Sequence, residues 1–284
     1  MNNAMSKRKR ILMKTGFYLL YVFVAFVFIA PILFLFMSSL KPYAQIESDM
    51  SNIYAFLPHG QMSLENYENV IYKVNFFRYF KNSAVVTLMV VVCSVIVNGF
   101  VGYALGMLRF RGRRAVISVI VALSIIPTES IVINQFMVTN ALGILNTYWG
   151  LALPKIAYPM YMYLYYNHFK GLPMELQEAA ILDGASYPKI FYKIMLPLSK
   201  PILATVAILS FIRAWGDLLW PTLVTRDSTY RTLPLALTTL QSDLYTDWGQ
   251  VFAFSTLMVV PVLAVFLICQ KHFISSMTSG AVKG

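Results

Sequence analysis

Long apolar stretches recur along the chain and are separated by shorter polar segments. Charged side chains are absent from residues 15–40, 82–108 and 248–270, and residues 115–154 contain one, Glu129. A helix needs about 20 predominantly apolar residues to cross the hydrocarbon core of a bilayer. The pattern therefore predicts four membrane-spanning helices, at about 16–38, 83–107, 115–138 and 248–270.

Two further stretches are long enough to span a membrane but carry charges. Residues 148–169 contain Lys155, and residues 201–223 contain Arg213 and Asp217. Both are rich in Leu, Ile, Tyr and Trp, so the sequence predicts six transmembrane helices in an all-α integral membrane protein. The first apolar stretch follows a basic segment, as in signal peptides, but it is much longer than the usual ~7–15 residues. We therefore interpret it as a membrane helix.

The composition is that of a chain dissolved in lipid. Of the 284 residues, 58% are hydrophobic and only 12% are charged, and the mean hydropathy is +0.64. Soluble domains carry about 25% charged residues, so an ordinary soluble enzyme, a disordered scaffold and a disulfide-rich secreted module are excluded. Cys93 and Cys269 each lie in a long apolar run, which implies neither a disulfide framework nor a metal site.

The positions of Lys and Arg predict the orientation. Basic residues are enriched in cytoplasmic loops, and most of the 23 basic residues fall on one side of the six predicted helices. Both termini are therefore expected in the cytoplasm, with the segments 1–14, 171–199 and 272–284, whereas residues 41–81 form an external loop. The net charge of +11 then reflects topology and does not indicate a nucleic-acid partner.

Three glycines in the second predicted span share one helix face. Gly99, Gly102 and Gly106 are three and four residues apart. Small residues on one face let another helix approach closely within a membrane. We expect this face to be a packing surface.

Charged residues inside the predicted spans are candidates for lining a transport pathway. A charge at membrane depth is costly unless it is paired or hydrated, so Glu129, Arg213 and Asp217 are expected to face the interior of a helix bundle. Arg213 and Asp217 are four residues apart and can pair with each other, and a structural pair and a pathway-lining role both stay open. Trp215, between them, either contacts a sugar ring or packs against a neighbouring helix.

The segment between the fourth and fifth predicted spans differs from the other loops. Pro173 suits the first turn of a helix and Glu178 lies near its positive end. Gly184 can end this helix in the left-handed conformation. A second short helix is expected over 186–195, ended by Pro197. A helix–turn–helix of this kind is too short to cross the membrane and is suited to contacting another protein.

The same segment carries a spaced signature. Glu178-Ala179-Ala180 is followed after three residues by Gly184 and after nine more by Ile194-Met195-Leu196-Pro197. This spacing resembles the EAA loop of ATP-binding-cassette (ABC) importer permeases. The segments 146–151, 215–221 and 280–284 are similar to the second permease of maltose-type carbohydrate importers, so the similarity covers nearly the whole chain. The sequence differs from the pattern of these permeases at Asp217, where Asn is more often expected.

The resemblance implies a type I ABC importer permease with six transmembrane helices, forming a single domain over residues 1–284. Its partners would be a homologous permease, two ATPase subunits that bind ATP and Mg, and an extracytoplasmic solute-binding protein. These would assemble in a bacterial cytoplasmic (inner) membrane to import a sugar or oligosaccharide. The ATPase subunits would contact the loop residues Glu178, Ala179, Ala180, Asp183, Gly184, Ala185, Leu196 and Pro197, and the tail residues Gly280, Lys283 and Gly284.

Three other functions are alternatives to a carbohydrate importer permease. An ion-coupled secondary transporter predicts inverted repeats and intramembrane ion ligands, but the sequence has only isolated charges and no repeat. A membrane enzyme needs a catalytic constellation, and neither a metal motif nor a Cys close to a His in sequence is present. An ABC importer for a non-carbohydrate solute stays open. Because the chain lacks a G-x-x-x-x-G-K-[ST] phosphate loop, we expect ATP hydrolysis on separate subunits, and no catalytic residue or cofactor in this one.

Overall fold

The computed structural model describes residues 7–241 and 246–281, with side chains for residues 13–241 and 246–270. These residues form helices and connecting turns. The principal helices are α1 (Lys7–Ser39), α2 (Tyr43–Asp49), α3 (Phe76–Met107), α4 (Arg113–Ile125), α5 (Val132–Ala141), α6 (Tyr148–Ile156), α7 (Pro159–Lys170), α8 (Glu175–Leu182), α9 (Tyr187–Ile190), α10 (Lys200–Trp215), α11 (Leu219–Val224), α12 (Leu233–Thr238) and α13 (Trp248–Ala281).

Shorter helical turns connect several of these helices. They are the 3-10 turns Ile53–Phe56 and Thr128–Ile131, the π turns Asn69–Lys73 and Phe191–Met195, and the single α turns Glu65–Glu68 and Leu196–Leu198.

Within the described residues, three uninterrupted helices are long and apolar enough to cross a membrane. They cover Met13–Ser39, Phe76–Met107 and Trp248–Gln270, and they contain the predicted helices at 16–38, 83–107 and 248–270. The window that defines Met13–Ser39 has no buried residue. Water would strongly disfavour so many exposed apolar side chains, whereas the hydrocarbon core of a membrane accommodates them.

The other three predicted spans are not continuous helices, which corrects the sequence-based prediction. The span at 115–138 is a pair, Arg113–Ile125 and Thr128–Ala141, bent by 98°, and the span at 148–169 is divided between α6 and α7. Pro127 and Pro159 explain these breaks, because proline lacks an N–H and disfavours helical backbone at the preceding residue. The span at 201–223 is interrupted between α10 and α11, just after Trp215.

The chain divides into two compact units. The first comprises residues up to Phe76 together with Thr239–Val260, and the second comprises Phe77–Thr238 and the residues from Pro261 onward.

A buried ion pair organises the polar part of the first unit. The Nζ atom of Lys41, which is fully buried, donates hydrogen bonds to Asp49 Oδ2 at 2.8 Å and to the Tyr54 carbonyl at 2.6 Å. The Asn66 amide donates to the carbonyls of Ser39 and Lys41 at 2.9 and 2.8 Å. The end of α1 is thereby tied to α2 and to the turn that follows it.

The predicted glycine face of α3 is confirmed as the packing surface of the second unit. A Cβ atom at Gly102 would lie 2.2 Å from Tyr165 Cβ, and one at Gly106 would lie 2.7 Å from Phe169 Cβ. The backbones of helices α3 and α7 are therefore almost in contact at these two glycines. Around this contact lies a core cluster of ten buried side chains: Tyr103, Met107, Tyr161, Tyr165, Phe169, Ala180, Ile190, Phe191, Met195 and Val206.

We expect Gly102→Ala to destabilise the protein by about 1–3 kcal/mol, the usual cost of overpacking a core. The added methyl group would also lie 2.9 Å from the backbone nitrogen of Tyr166, so side-chain rotation alone cannot relieve the clash. Gly99→Ala is the matched control, because its Cβ would meet ring atoms of Phe191 at 3.4 Å and of Tyr165 at 3.6 and 3.7 Å, which are ordinary van der Waals distances. Thermal unfolding in detergent measures both, and equal melting temperatures would contradict the prediction.

Lowering the pH is expected to loosen the segment around the Lys41–Asp49 pair. The hydrogen bond from the Lys41 ammonium lowers the pKa of the Asp49 carboxyl below the value of an Asp in the unfolded chain, which is about 3.9, so the folded protein favours the ionised carboxylate. This contribution is complete above that pH and is lost as the pH falls through the lowered pKa. Amide hydrogen exchange across residues 43–56 should therefore accelerate in acid.

Two substitutions in α2 test this origin of the pH dependence. Asp49→Asn should accelerate exchange already at neutral pH and remove most of the acid response. Glu47→Gln, which changes an exposed carboxyl of the same helix, should leave the response unchanged. An identical acid response in both variants would exclude Asp49 as its source.

Candidate functional site

An exposed helical loop connects α7 to α10. Its first helix, α8, begins at Glu175, so Pro173 precedes the helix and is not part of its first turn. The Gln177 side chain faces inward, where its Oε1 atom accepts a 2.9 Å hydrogen bond from the Tyr103 hydroxyl of α3. Ala180 is buried in the core cluster. Helix α8 is thereby attached to the long helix α3.

The turn after α8 has the left-handed geometry that the sequence predicts. Gly184 has a φ of +76°, and its N–H donates to the Ile181 carbonyl at 2.9 Å while the Ala185 N–H donates to the Ala180 carbonyl at 3.0 Å. These two bonds form a Schellman motif, which satisfies carbonyls at a helix end. Since an added Cβ would have nothing within 4 Å, the requirement for glycine here arises from the backbone conformation.

The second half of the loop is longer than expected. Helix α9 continues through the π turn Phe191–Met195 to Leu198, and Pro197 lies inside this run, so the prediction that Pro197 ends the helix is wrong. The π turn that directly precedes Leu196 interrupts the regular α-helical hydrogen bonding, so a proline, which has no N–H to donate, is tolerated there. The run is bent by 88° from α10, and the bend is held at Ser199, whose hydroxyl donates to the Met195 carbonyl at 2.6 Å.

The outward surface of this loop mixes acidic and apolar side chains. The side chain of Leu182 is 88% exposed, and those of Ile181 and Tyr187 are 42% and 49% exposed. Exposed apolar side chains grouped in this way are typical of protein contacts. Of the eight predicted loop residues, Ala180 is buried, Ala185 and Leu196 are half-buried, and the exposed ones are Glu178, Ala179, Asp183, Gly184 and Pro197.

Four charged side chains line a second feature, which we call the charged cleft: Glu129, Lys155, Arg213 and Asp217. The Nζ atom of Lys155 lies 2.5 Å from Asp217 Oδ2, and both side chains are largely buried. The guanidinium of Arg213 lies over the ring of Tyr158, 4.0 Å from its centroid. In the described part of the chain, no three His, Cys, Asp or Glu side chains gather as a metal site requires.

Asp217 therefore pairs with Lys155 and not with Arg213, the partner that the sequence left open. The physical reason is that α10 ends at Trp215, so the two residues are not one turn apart on a common helix. The residues that the sequence proposed for the pathway did not include Lys155. Its isolation in an apolar stretch was the available signal, because a membrane lysine needs a partner.

Trp215 packs among neighbouring helices and lies outside the charged cleft. It is 5% exposed, and its ring stacks on Phe211 at 5.6 Å and meets Phe80 of α3 edge-on at 5.9 Å. Of the two roles that the sequence left open for Trp215, this environment corresponds to packing.

Asn98 is a structural residue that sequence reasoning missed. Its buried side chain donates to the Ile156 carbonyl at 2.8 Å and accepts from the Tyr158 N–H at 2.9 Å. These are the backbone groups that the break between α6 and α7 leaves without helical partners, and in lipid such groups must be satisfied within the protein. An asparagine in an otherwise apolar helix was the signal that could have identified it.

The predicted tail contacts fall at the end of the chain. Gly280 lies in the last turn of α13. Lys283 and Gly284 lie outside the described residues.

The chain is similar to known transport proteins in both sequence and structure. A family described as "Binding-protein-dependent transport system inner membrane component" matches residues 98–279. The arabinooligosaccharides transport system permease protein AraQ of Halalkalibacterium halodurans is 32% identical over 265 residues, covering 93% of this chain and 94% of the relative. The trehalose/maltose transport system permease protein MalG of Thermococcus litoralis is 34% identical over 227 residues, covering 78% and 82%.

A solved structure is also similar to the whole chain. It is the crystal structure of a bacterial ABC transporter involved in the import of the acidic polysaccharide alginate. One of its chains aligns with a TM-score of 0.82 and 26% identity, covering 96% of this chain and 100% of that chain.

The fold is thus that of a helical membrane permease. The chain belongs to the family of binding-protein-dependent transport system inner membrane components, and its predicted resemblance to ABC importer permeases is confirmed. Members of this family are transport components and not enzymes.

The Lys155–Asp217 pair yields a prediction about stability. Lys155→Met or Asp217→Leu alone leaves an uncompensated charge, which costs about 3–5 kcal/mol when a fully buried pair is broken. Because both side chains here retain some exposure, we expect about 1–3 kcal/mol for each single variant. The double variant should recover most of this loss, because it leaves no unpaired charge.

Thermal unfolding of the purified protein in detergent measures these effects. Glu129→Gln serves as a control, since Glu129 lies in the same cleft but is exposed, and it should have little effect. A double variant as unstable as the two single effects added together would contradict direct pairing.

Proposed function

We propose that this chain forms half of the translocation pathway of a bacterial ABC importer for a sugar or oligosaccharide. The observation that carries the proposal is the exposed loop 175–198, which is attached to α3 through Gln177 and Ala180 and presents Glu178, Leu182 and Asp183 outward. A transport subunit without its own ATP-binding motif needs such a contact, because ATP hydrolysis on another protein must drive its conformational change. Relatives named for arabinooligosaccharides and for trehalose and maltose support a carbohydrate as the substrate.

The membrane topology in this proposal has six spans and both termini in the cytoplasm. Three continuous helices and the bent pair Arg113–Ile125 and Thr128–Ala141 supply four spans. The pair α6 and α7, joined where Asn98 satisfies the break, supplies a fifth, and α10 with α11 supplies the sixth. The excess of Lys and Arg on the side that holds the termini and the exposed loop supports this orientation. The membrane is the bacterial cytoplasmic (inner) membrane.

The exposed loop is the proposed contact with the ATPase subunits. Its acidic side chains, Glu178 and Asp183, suit a basic cleft, and its apolar side chains, Leu182 and Tyr187, suit a hydrophobic one. Ala180 would contribute from inside, by holding α8 against the core cluster, and the remaining predicted contacts are Ala179, Gly184, Ala185, Leu196 and Pro197.

Coupling follows from how this loop is attached. Movement of an ATPase subunit against α8 would be transmitted to α3 by the Gln177–Tyr103 hydrogen bond and to α7 by the core cluster. ATP, with its Mg, would be bound by the partner subunits, which the tail residues Gly280, Lys283 and Gly284 would also contact. ATP and the transported solute then act as reciprocally coupled ligands of one assembly.

The charged cleft is the proposed part of the pathway in this chain. The carboxylate of Glu129 and the guanidinium of Arg213 would offer hydrogen bonds to a solute there, while the charges of Lys155 and Asp217 neutralise each other. Carbohydrates carry many hydroxyl groups, which exchange hydrogen bonds with water for hydrogen bonds with such side chains. A homologous second permease would complete the pathway, and an extracytoplasmic binding protein would deliver the sugar.

We expect Glu178→Ala to weaken assembly with the ATPase subunits or to uncouple ATP hydrolysis from transport. Truncating one partner of a desolvated charge pair at an interface costs about 2–5 kcal/mol. Gly184→Val should impair coupling more strongly, because a β-branched residue is strained at the φ of +76°. Co-purification of ATPase subunits and solute-stimulated ATP hydrolysis in proteoliposomes measure both effects.

The control for this experiment is Lys189→Ala, which changes an exposed side chain in the second half of the same loop outside the signature. It should leave association and hydrolysis unchanged. Full ATPase association and normal uptake in the Glu178→Ala variant would refute the proposed contact. Uptake of arabino-oligosaccharides, maltose and trehalose by the wild-type assembly tests the substrate class separately.

A further inference from the structure

Four arginines are concentrated where α3 is connected to α4, two in the connection and two in the first turn of α4. This segment, residues 109–114, is called the arginine turn, and its basic residues are Arg109, Arg111, Arg113 and Arg114. Arg109, Arg113 and Arg114 line a shallow cleft together with Phe110 and Gly112. The turn begins where the apolar helix α3 ends, so it lies at the boundary between an apolar and a polar environment.

Acidic groups do not neutralise this charge within the described side chains. The ion pairs among residues 13–241 and 246–270 are Lys41–Asp49 and Lys155–Asp217, and neither involves the arginine turn. No Asp or Glu occurs between Glu68 and Glu129.

One arginine has a structural task, and the other three are exposed. Arg113 donates to the Gly106 carbonyl at 3.1 Å and to the Leu108 carbonyl at 3.3 Å, which closes the turn over the end of α3. The exposed guanidinium groups of the turn belong to Arg109, Arg111 and Arg114. They are therefore available to bind an anion.

An exposed apolar strip continues from the arginine turn along α4. Val116, Val119 and Leu123 are spaced three and four residues apart on one helix face, and all three are exposed. Phe110, in the turn itself, is exposed as well. A ligand that matches this surface has an anionic head group and at least one long apolar chain.

We propose that the arginine turn binds the phosphate group of an anionic phospholipid, with an acyl chain along the exposed face of α4. Guanidinium groups bind phosphate oxygens in a bidentate manner, and the positive end of α4 adds to the attraction. Gly106 packs against Phe169 and Lys170, so the lipid would sit at the same end of the second unit as the exposed loop. This inference does not depend on the proposed transport function.

Spin-labelled lipids in bilayer nanodiscs test the proposal. The full-length chain, with the subunits that co-purify with it, is placed in phosphatidylcholine containing a minor fraction of labelled phosphatidylglycerol or labelled phosphatidylcholine. The wild-type protein should immobilise phosphatidylglycerol preferentially. The triple variant R109Q/R111Q/R114Q should reduce this preference by at least about fivefold, the effect of one basic residue near an anionic surface.

Two further variants separate the site from general charge and from misfolding. K73Q/K81Q/R226Q removes the same number of exposed charges elsewhere and should retain the preference. R109K/R111K/R114K keeps the charges that orient the helices but loses bidentate binding, so it should show a smaller but measurable reduction, even where the glutamine variant does not insert.

Three outcomes would overturn the proposal. The first is an unchanged preference for phosphatidylglycerol in both arginine-turn variants, which would indicate that this surface contacts a protein partner and not a lipid. The second is an equal loss in K73Q/K81Q/R226Q, which would assign the preference to net charge. The third is complete loss on adding inorganic phosphate to the wild-type protein, which would indicate a site for free anions and not for lipid.

Discussion

The close contact between α3 and α7 is the constraint on which the second unit depends. Without a Cβ atom at Gly102 and Gly106, the two backbones approach far enough for Tyr165 and Phe169 to enter the core. Lipid offers little hydrophobic driving force between helices, so close packing of this kind must supply the association. Because α8 is held by Tyr103 and by the same core, the position of the exposed loop follows from this contact.

A second constraint comes from the polar groups that broken helices leave at membrane depth. Asn98 bridges the break at 156–158 between α6 and α7, and the Lys155–Asp217 pair lies close to this break and to a second one, after α10. Each of these two breaks therefore has a polar side chain nearby, which favours irregular backbone at membrane depth. Breaks of this kind also place polar side chains at membrane depth, where a continuous apolar helix would have only apolar side chains.

The two functional features differ in construction, and the difference fits their proposed roles. The exposed loop combines an inner face locked into the core with an outer face rich in acidic and apolar side chains, as a surface that transmits force requires. The charged cleft instead balances two acids against two bases, so a solute would meet hydrogen-bonding groups without a large net charge. Membership of the permease family connects the two, because transport requires both a contact for the energy source and a path for the solute.

The sequence alone determined whatever depends on neighbouring residues in the chain. The long apolar runs identified α1, α3 and α13, and the need for a left-handed residue after α8 identified Gly184, because helix length and backbone conformation are local properties. The signature around Glu178 identified the family for the same reason. Only the tertiary structure decided that Lys155 pairs with Asp217, that Trp215 packs against Phe80, and that Asn98 bridges a break. These contacts join residues that are far apart in the chain, and a helical pattern predicts which residues share a face but not which residues that face contacts.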